Sequence, residues 1–386
     1  MLNKRVAIIQ NRIHKGGRLQ VILALIKVLN DLGLRPDIVT LQSQISPDGI
    51  REGYNLDLDF RFRFLRPDPR VSYEWNLLFF NRLLHTIRQE YDLFINSSNS
   101  SLLLPRGPAI ISYVHFPRSY RVLTRERSIH LSGPRGRRNW LEEELLRRAC
   151  RPFYRLLPHY GLGERIIANS RFSKEAITRY TQSLPEEEIE VVYPPVSIDE
   201  FSGDGRKERG SVVSLGRFTE IKNQLEQIDI ARVLPEFTFY LAGFVKRGSS
   251  YFERCRRKVE REGLGNVMLL PNCSFSDLRD LVRRGSYFLH STRNEPFGIT
   301  TVQAAAAGCL PVVHDSGGQR EIVPDEHLRW NSRDEAVARL RRLEALDSGA
   351  LRRLRLKFIR EMKRFDRSVF EEKFRRIITE TVEKTL

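Results

Sequence analysis

Apolar residues in this chain gather into short continuous runs, and the stretches between them carry helical periodicity. RVAIIQ, PDIVTL, YDLFINS, AIISYVHF and RIIANS read as buried strands. KGGRLQVILALIKVLNDLG reads as a loop and a helix stopped by Gly33, YEWNLLFFNRLLHTIRQE as a second helix, and SRFSKEAITRYT as a third capped by Ser170. A new series follows EVVYPPVSIDEF. There SVVSLGRF, FTFYLAGF, NVMLLP, SYFLHS and LPVVHD alternate with helical segments such as SYFERCRRKVEREGL and FSDLRDLVRRG. Pro194 and Pro195 continue neither strand nor helix and mark a linker. Strand–helix alternation on both sides of it predicts two doubly wound parallel-sheet α/β domains, residues 1–193 and 194–366. The tail SVFEEKFRRIITETVEKTL predicts an amphipathic helix. One run alternates strictly: NLDLDFRFRF puts Leu56, Leu58, Phe60 and Phe62 on one side and Asp57, Asp59, Arg61 and Arg63 on the other. Its Asp-x-Asp is therefore read as the charged face of a half-buried strand and not as a metal site.

Composition adds bounds. The chain has 386 residues, 41% of them hydrophobic, which is enough for two cores and excludes wholesale disorder. No apolar run approaches the roughly 18 residues that span a bilayer. The N-terminal run is too short for a secretory signal, and Cys150, Cys255, Cys273 and Cys309 are scattered without a CxxC pair. The expectation is a reduced, cytoplasmic protein without a zinc site, and no metal-ligand spacing appears among the histidines. A net charge of +17 calls for a polyanionic neighbour: a phosphorylated ligand, an anionic membrane surface or nucleic acid. Twelve arginines against five glutamates lie between Arg118 and Arg165, interleaved with Trp140, Leu145 and Phe153. That segment fits a membrane-surface helix, or equally a core-facing helix with an Arg-rich outer face. No nucleic-acid-binding motif is present, so no such partner is expected.

Candidate chemistry concentrates in three places. In EPFGITTVQAAAAG, Phe297, Gly298 and Ile299 open a helix that Gly308 closes. A phosphate at the amides of Gly298, Ile299 and Thr300 would satisfy the first-turn donors and the helix dipole, with Glu295 beside whatever the phosphate carries. An ordinary buried βαβ unit with a close-packing Ala run explains the stretch equally well. In SLGRFTEIKNQ, Gly216 ends a strand and Arg217 and Lys222 follow, two cations where α/β ligands collect and suited to a diphosphate. In HKGGR, Gly16 and Gly17 permit close backbone approach at the other domain's first turn.

Taken in order, SLGRFTEIKNQ, VVYPPVSIDEF, ANSRFSKEAI and EPFGITTVQAAAAGCLPVVHDSGGQREIV resemble the retaining glycosyltransferases of family 4. Their GT-B fold has two Rossmann-like domains facing across a cleft. ISYVHFP and AAGCLPVVHDSGG look closest to the branch of α-1,2-mannosyltransferases acting on lipid-linked oligosaccharide. The resemblance implies a metal-independent, cofactor-free transferase that moves a sugar, mannose from GDP-mannose in the first instance, to a glycan or lipid-linked hydroxyl. A UDP-sugar-dependent transferase, or a non-catalytic membrane-surface protein of the same fold, is the alternative. It also implies a last helix, 367–386, that crosses back to the N-terminal domain, and a location at the inner face of a membrane. Arg217 and Lys222 would neutralise the donor diphosphate, and Gly16 and Gly17 would approach phosphate and sugar. Glu295 would bind sugar hydroxyls, His115 would stand near sugar and acceptor, and Cys273 would contact the nucleobase through its backbone. The ribose-binding carboxylate of the family falls on Gln303, which can accept and donate a hydrogen bond but carries no charge.

Overall fold

The apolar runs become parallel strands because a strand covered by helices on both faces must be apolar on both sides. The computed structural model describes residues 4–14, 16–46, 49–50, 57–65, 83–98, 108–117, 164–181, 185–203 and 205–383. The described chain divides into two compact units, one of residues up to Pro195 together with those from Arg367 onward, the other from Val196 to Asp366. The boundary lies two residues beyond the expected one, so Pro194 and Pro195 stay with the first unit. The basic segment between Arg118 and Glu164, and most of the second expected helix, lie outside the described residues.

In the first unit, β1 (Val6–Ile9), β2 (Asp37–Thr40), β3 (Arg61–Phe64), β4 (Leu93–Asn96), β5 (Ala109–Val114), β6 (Arg165–Ala168) and β7 (Glu190–Val191) form one sheet. Its order is β3-β2-β1-β4-β5-β6-β7, with every pairing parallel. The alternating run forms its edge: Leu58 and Phe60 are buried, Asp57 and Asp59 exposed, and Arg61 pairs with Asp37 at 2.9 Å. Helix α1 (Gly17–Asp31) follows β1, and α2 (Arg171–Thr181) follows β6 with the Ser170 hydroxyl accepting from the Ser173 amide at 2.9 Å.

Helix α1 is apolar over more than one face, with Leu19 and Val21 to Ile26 all buried. A second helix has to cover it, and the C-terminal one does. That helix spans Arg367–Glu383, and its Phe370, Phe374, Ile377 and Ile378 share one core with α1. Phe370 and Phe374 each pack edge-on against Tyr113, and Arg375 pairs with Asp31 at 2.8 Å.

In the second unit, β8 (Glu208–Leu215), β9 (Thr238–Gly243), β10 (Val267–Pro271), β11 (Gly285–His290), β12 (Leu310–His314) and β13 (Arg329–Trp330) pair in the order β10-β9-β8-β11-β12-β13, again all parallel. Between them run α3 (Gln224–Arg232), α4 (Ser250–Arg261), α5 (Phe275–Arg284) and α6 (Ile299–Ala306), and after β13 follow α7 (Arg333–Glu344) and α8 (Ser348–Met362). In both sheets the chain winds outward from its first strand and then reverses through the fourth. Ligands of such sheets bind beyond the carboxyl ends of the strands at that reversal, between β1 and β4 in one unit and β8 and β11 in the other.

Candidate active site

In the second unit, glycines first clear the space. A Cβ on Gly243 would sit 1.9 Å from the Gly216 carbonyl, so the ends of β8 and β9 can meet only without one. Beyond Gly216 the chain makes a turn through Glu220–Lys222 and closes on Asn223, which is left-handed at φ 53°. The Ser291 hydroxyl, at the end of β11, donates to the Lys222 carbonyl at 2.9 Å and accepts from Gln227 at 2.7 Å. Those bonds fix Lys222 at the strand reversal.

Glu295 arrives there from the β11–α6 loop. Its carboxylate lies 2.5 Å from Lys222 Nζ, with the side chains 17% and 23% exposed, so the pair is largely sheltered from solvent screening. Burial, the largest single influence, raises the Glu295 carboxyl, but Lys222 with the neighbouring His290 and Arg217 together outweigh it and the net shift is downward. Glu295 is thus an anion at neutral pH. Arg217 is exposed and adds to this positive environment.

The loop is held by glycine contacts. A Cβ on Gly317 would come 2.4 Å from the Glu295 carbonyl, and one on Gly318 the same distance from that of Pro296. The Gly318 amide donates to the Glu295 carbonyl at 2.8 Å, while Phe297 packs edge-on against Phe365. Gly298 caps α6 at φ 118°, and its carbonyl accepts from Thr301 and Val302. The amides of Ile299 and Thr300 precede any intrahelical acceptor and lie where an anion is favoured. Gln303, one turn further along, is partly exposed. Cys273, also partly exposed, sits in a loop tied to β9 by the Asn272 amide, which donates to the Gly243 carbonyl at 2.8 Å.

Two residues here were not singled out by sequence. His290 ends β11 and is 3% exposed, with Nε2 3.7 Å from Glu295 Oε2. Burial, then the Lys222 charge, hold it down to about 3, so the ring is neutral. Gln319, fully buried, brings Nε2 to 3.3 Å from His290 Nδ1, and its Oε1 has no partner. A polar residue ending an otherwise apolar strand, as in YFLHS, is the signal that marks His290. Gln319 has no comparable signal.

In the first unit the carboxyl edge carries its own polar set. Gln10 follows β1, Ser97 follows β4 and His115 follows β5, and Gly16 precedes α1 with φ 139° and open space around it. Gly17 opens that helix. His115 Nε2 lies 3.1 Å from the Ser97 hydroxyl, and burial followed by the Arg18 charge keeps the ring well below its usual value and neutral. The structure therefore gathers Arg217, Lys222, Glu295 and the Gly298 helix start at one sheet edge, and Gly16, Gly17 and His115 at the other. Among the described residues, no group of three His, Cys, Asp or Glu converges as metal ligands. No described helix is long and apolar enough to cross a membrane.

Two parallel-sheet α/β units, each with a glycine-lined polar set at the carboxyl edge of its sheet, make a GT-B fold. The first unit matches the model for glycosyltransferase family 4 over residues 15–200, and the second matches that for glycosyl transferases group 1 over residues 198–363. The chain belongs to this family. A mouse GDP-Man:Man(3)GlcNAc(2)-PP-Dol alpha-1,2-mannosyltransferase is 30% identical over 155 residues, 35% of this chain and 32% of that protein. The D-inositol 3-phosphate glycosyltransferase of Streptomyces bingchenggensis is 26% identical over 219 residues, 50% of this chain and 48% of that one. The chain thus spans about a third to a half of the length of these curated relatives. The crystal structure of HepE of Anabaena in complex with UDP and glucose superposes with a TM-score of 0.70 at 16% identity, covering 98% of this chain and all of that one.

Proposed function

We propose that the chain is a retaining glycosyltransferase that moves a sugar, mannose from GDP-mannose in the first instance, to a hydroxyl of a glycan or lipid-linked acceptor in α-linkage. The observation that carries this reading is the Lys222–Glu295 pair at the strand reversal, beside the open amides of α6. A donor diphosphate seated on the Ile299 and Thr300 amides would draw Lys222 and Arg217 onto its oxygens. As the glycosidic bond breaks, the leaving nucleotide gains negative charge, and these preplaced cations stabilise it more than they stabilise the bound donor. Glu295, released in part from Lys222, would accept hydrogen bonds from the sugar hydroxyls. Neutral His115 can accept a proton or position a hydroxyl on the acceptor side. Gln303 would contact the ribose. No metal or cofactor enters this scheme.

Mannose is supported by the name of the mouse relative, and UDP-glucose chemistry, the second reading, by the UDP and glucose in the HepE structure. Incubation with radiolabelled GDP-mannose and UDP-glucose, each with a lipid-linked oligosaccharide extract, separates them. The expected product carries label from GDP-mannose with α configuration by NMR. Label from UDP-glucose alone replaces the donor assignment, and a β product rules out retention.

A further inference from the structure

Helix α4 has most of its cations in ion pairs, within the helix or with neighbouring elements. On α4, Arg256 pairs with Glu253 at 2.8 Å and with Glu260 at 2.7 Å, Lys258 with Asp229 at 2.8 Å, and Arg254 with Glu220 at 2.7 Å. Helix α8 is different. Its inner side buries Phe358 and Met362 and packs on α6. Its outer side exposes Arg352, Arg353, Leu356, Lys357 and Arg360, continued by Lys363 just past the helix end. These positions step by three and four residues and so share one face. Among the described residues, the carboxylates that meet this face are Glu361, 4.0 Å from Lys357, and Asp347, which caps the helix start and feels the Arg353 charge. Leu356, 46% exposed, is an apolar residue surrounded by cations.

We propose that this face of α8 docks on an anionic phospholipid surface. Five cations and one exposed leucine on a helix that lies flat on its own domain match a layer of anionic headgroups above acyl chains, where each cation near the surface adds to binding. The leucine gives the face an apolar contact that a purely phosphate-reading surface does not require. The proposal rests on the lipid-linked acceptor reading above, since such an acceptor lies in a membrane. It also names a docking element in the second unit, at sequence positions other than those of the Arg118–Arg165 segment.

The test is vesicle sedimentation of the full chain without donor or acceptor, so that it reads docking and not transfer. Vesicles of phosphatidylcholine alone and of phosphatidylcholine with phosphatidylglycerol are compared. The variants are Arg352→Ala/Arg353→Ala/Lys357→Ala/Arg360→Ala and, as an equal charge loss elsewhere, Arg232→Ala/Arg256→Ala/Arg257→Ala/Arg261→Ala. The wild type is expected to pellet only with phosphatidylglycerol and to be released by salt. The α8 variant should bind at least about tenfold more weakly and the control within about twofold of wild type. Circular dichroism and nucleotide-induced thermal shifts of the α8 variant should match wild type. Equal loss in both variants, undiminished binding by the α8 variant, equal binding to neutral vesicles, or binding to a duplex oligonucleotide but not to vesicles each overturns the proposal. Vesicle docking without any nucleotide shift would leave α8 standing and remove the transferase reading instead.

Discussion

At the scale of single residues, Lys222 is the group on which the second unit's site depends. Its ammonium holds a sheltered carboxylate, so Lys222→Ala leaves Glu295 without its cation. The expected cost is about 3 kcal/mol in urea unfolding, with transfer reduced at least about 100-fold. The double variant Lys222→Ala/Glu295→Gln should recover most of the stability and none of the activity. Equal instability of single and double variants would mean that the pair is not coupled. Gln303 tests the neighbouring position. Gln303→Glu should change the donor KM while leaving the product's linkage as it is, and an unchanged KM would place the ribose elsewhere.

At the scale of elements, the strands were legible because parallel strands buried on both faces must be apolar, and each expected strand run with described residues forms one. Ser170, Gly33 and Gly308 were legible for a similar reason, since helix ends need particular residues. The start of α6 was legible too: a glycine after Phe297 can cap a helix at φ 118°, and here a Cβ would also meet Gln319 Nε2 at 2.3 Å. Gly298→Ala should therefore distort the turn that opens α6 and, if the donor phosphate seats there as proposed, weaken nucleotide binding at least about tenfold by calorimetry. Gly248→Ala, left-handed at φ 71° but with open space around it, should leave nucleotide binding near wild type. What sequence did not disclose is who faces whom. Lys222 and Glu295 are 73 residues apart, and neither periodicity nor spacing pairs them. The His290–Gln319 contact likewise exists only through the fold. Gln303 could be flagged as a departure, but its surroundings could not be read.

At the scale of the whole molecule, acid stability follows from buried neutral histidines. His290 is held at about 3 and His314 at about 4, chiefly by burial, and His115 also lies below its usual value. Their unfolded-state values lie near 6.5, so between that pH and the folded values the unfolded chain binds more protons. Stability is then lost as pH falls below about 6.5. His290→Gln removes one such group, and the slope between pH 6 and 4 should shrink by up to about 1.4 kcal/mol per pH unit. An unchanged slope would mean that His290 is already charged in the folded protein. The central claim concerns the carboxyl edge of the second sheet, that Arg217 and Lys222 there receive a nucleotide diphosphate. Its most direct measurement is a thermal-shift titration of wild type and of Arg217→Ala/Lys222→Ala with GDP, UDP, ADP and their sugars. Ligand at 100 times Kd adds about 2.7 kcal/mol to folding. A saturable rise in Tm with one nucleotide family is expected in the wild type, and its loss in the folded variant. A flat response to every nucleotide, or an equal rise in both proteins, would contradict it.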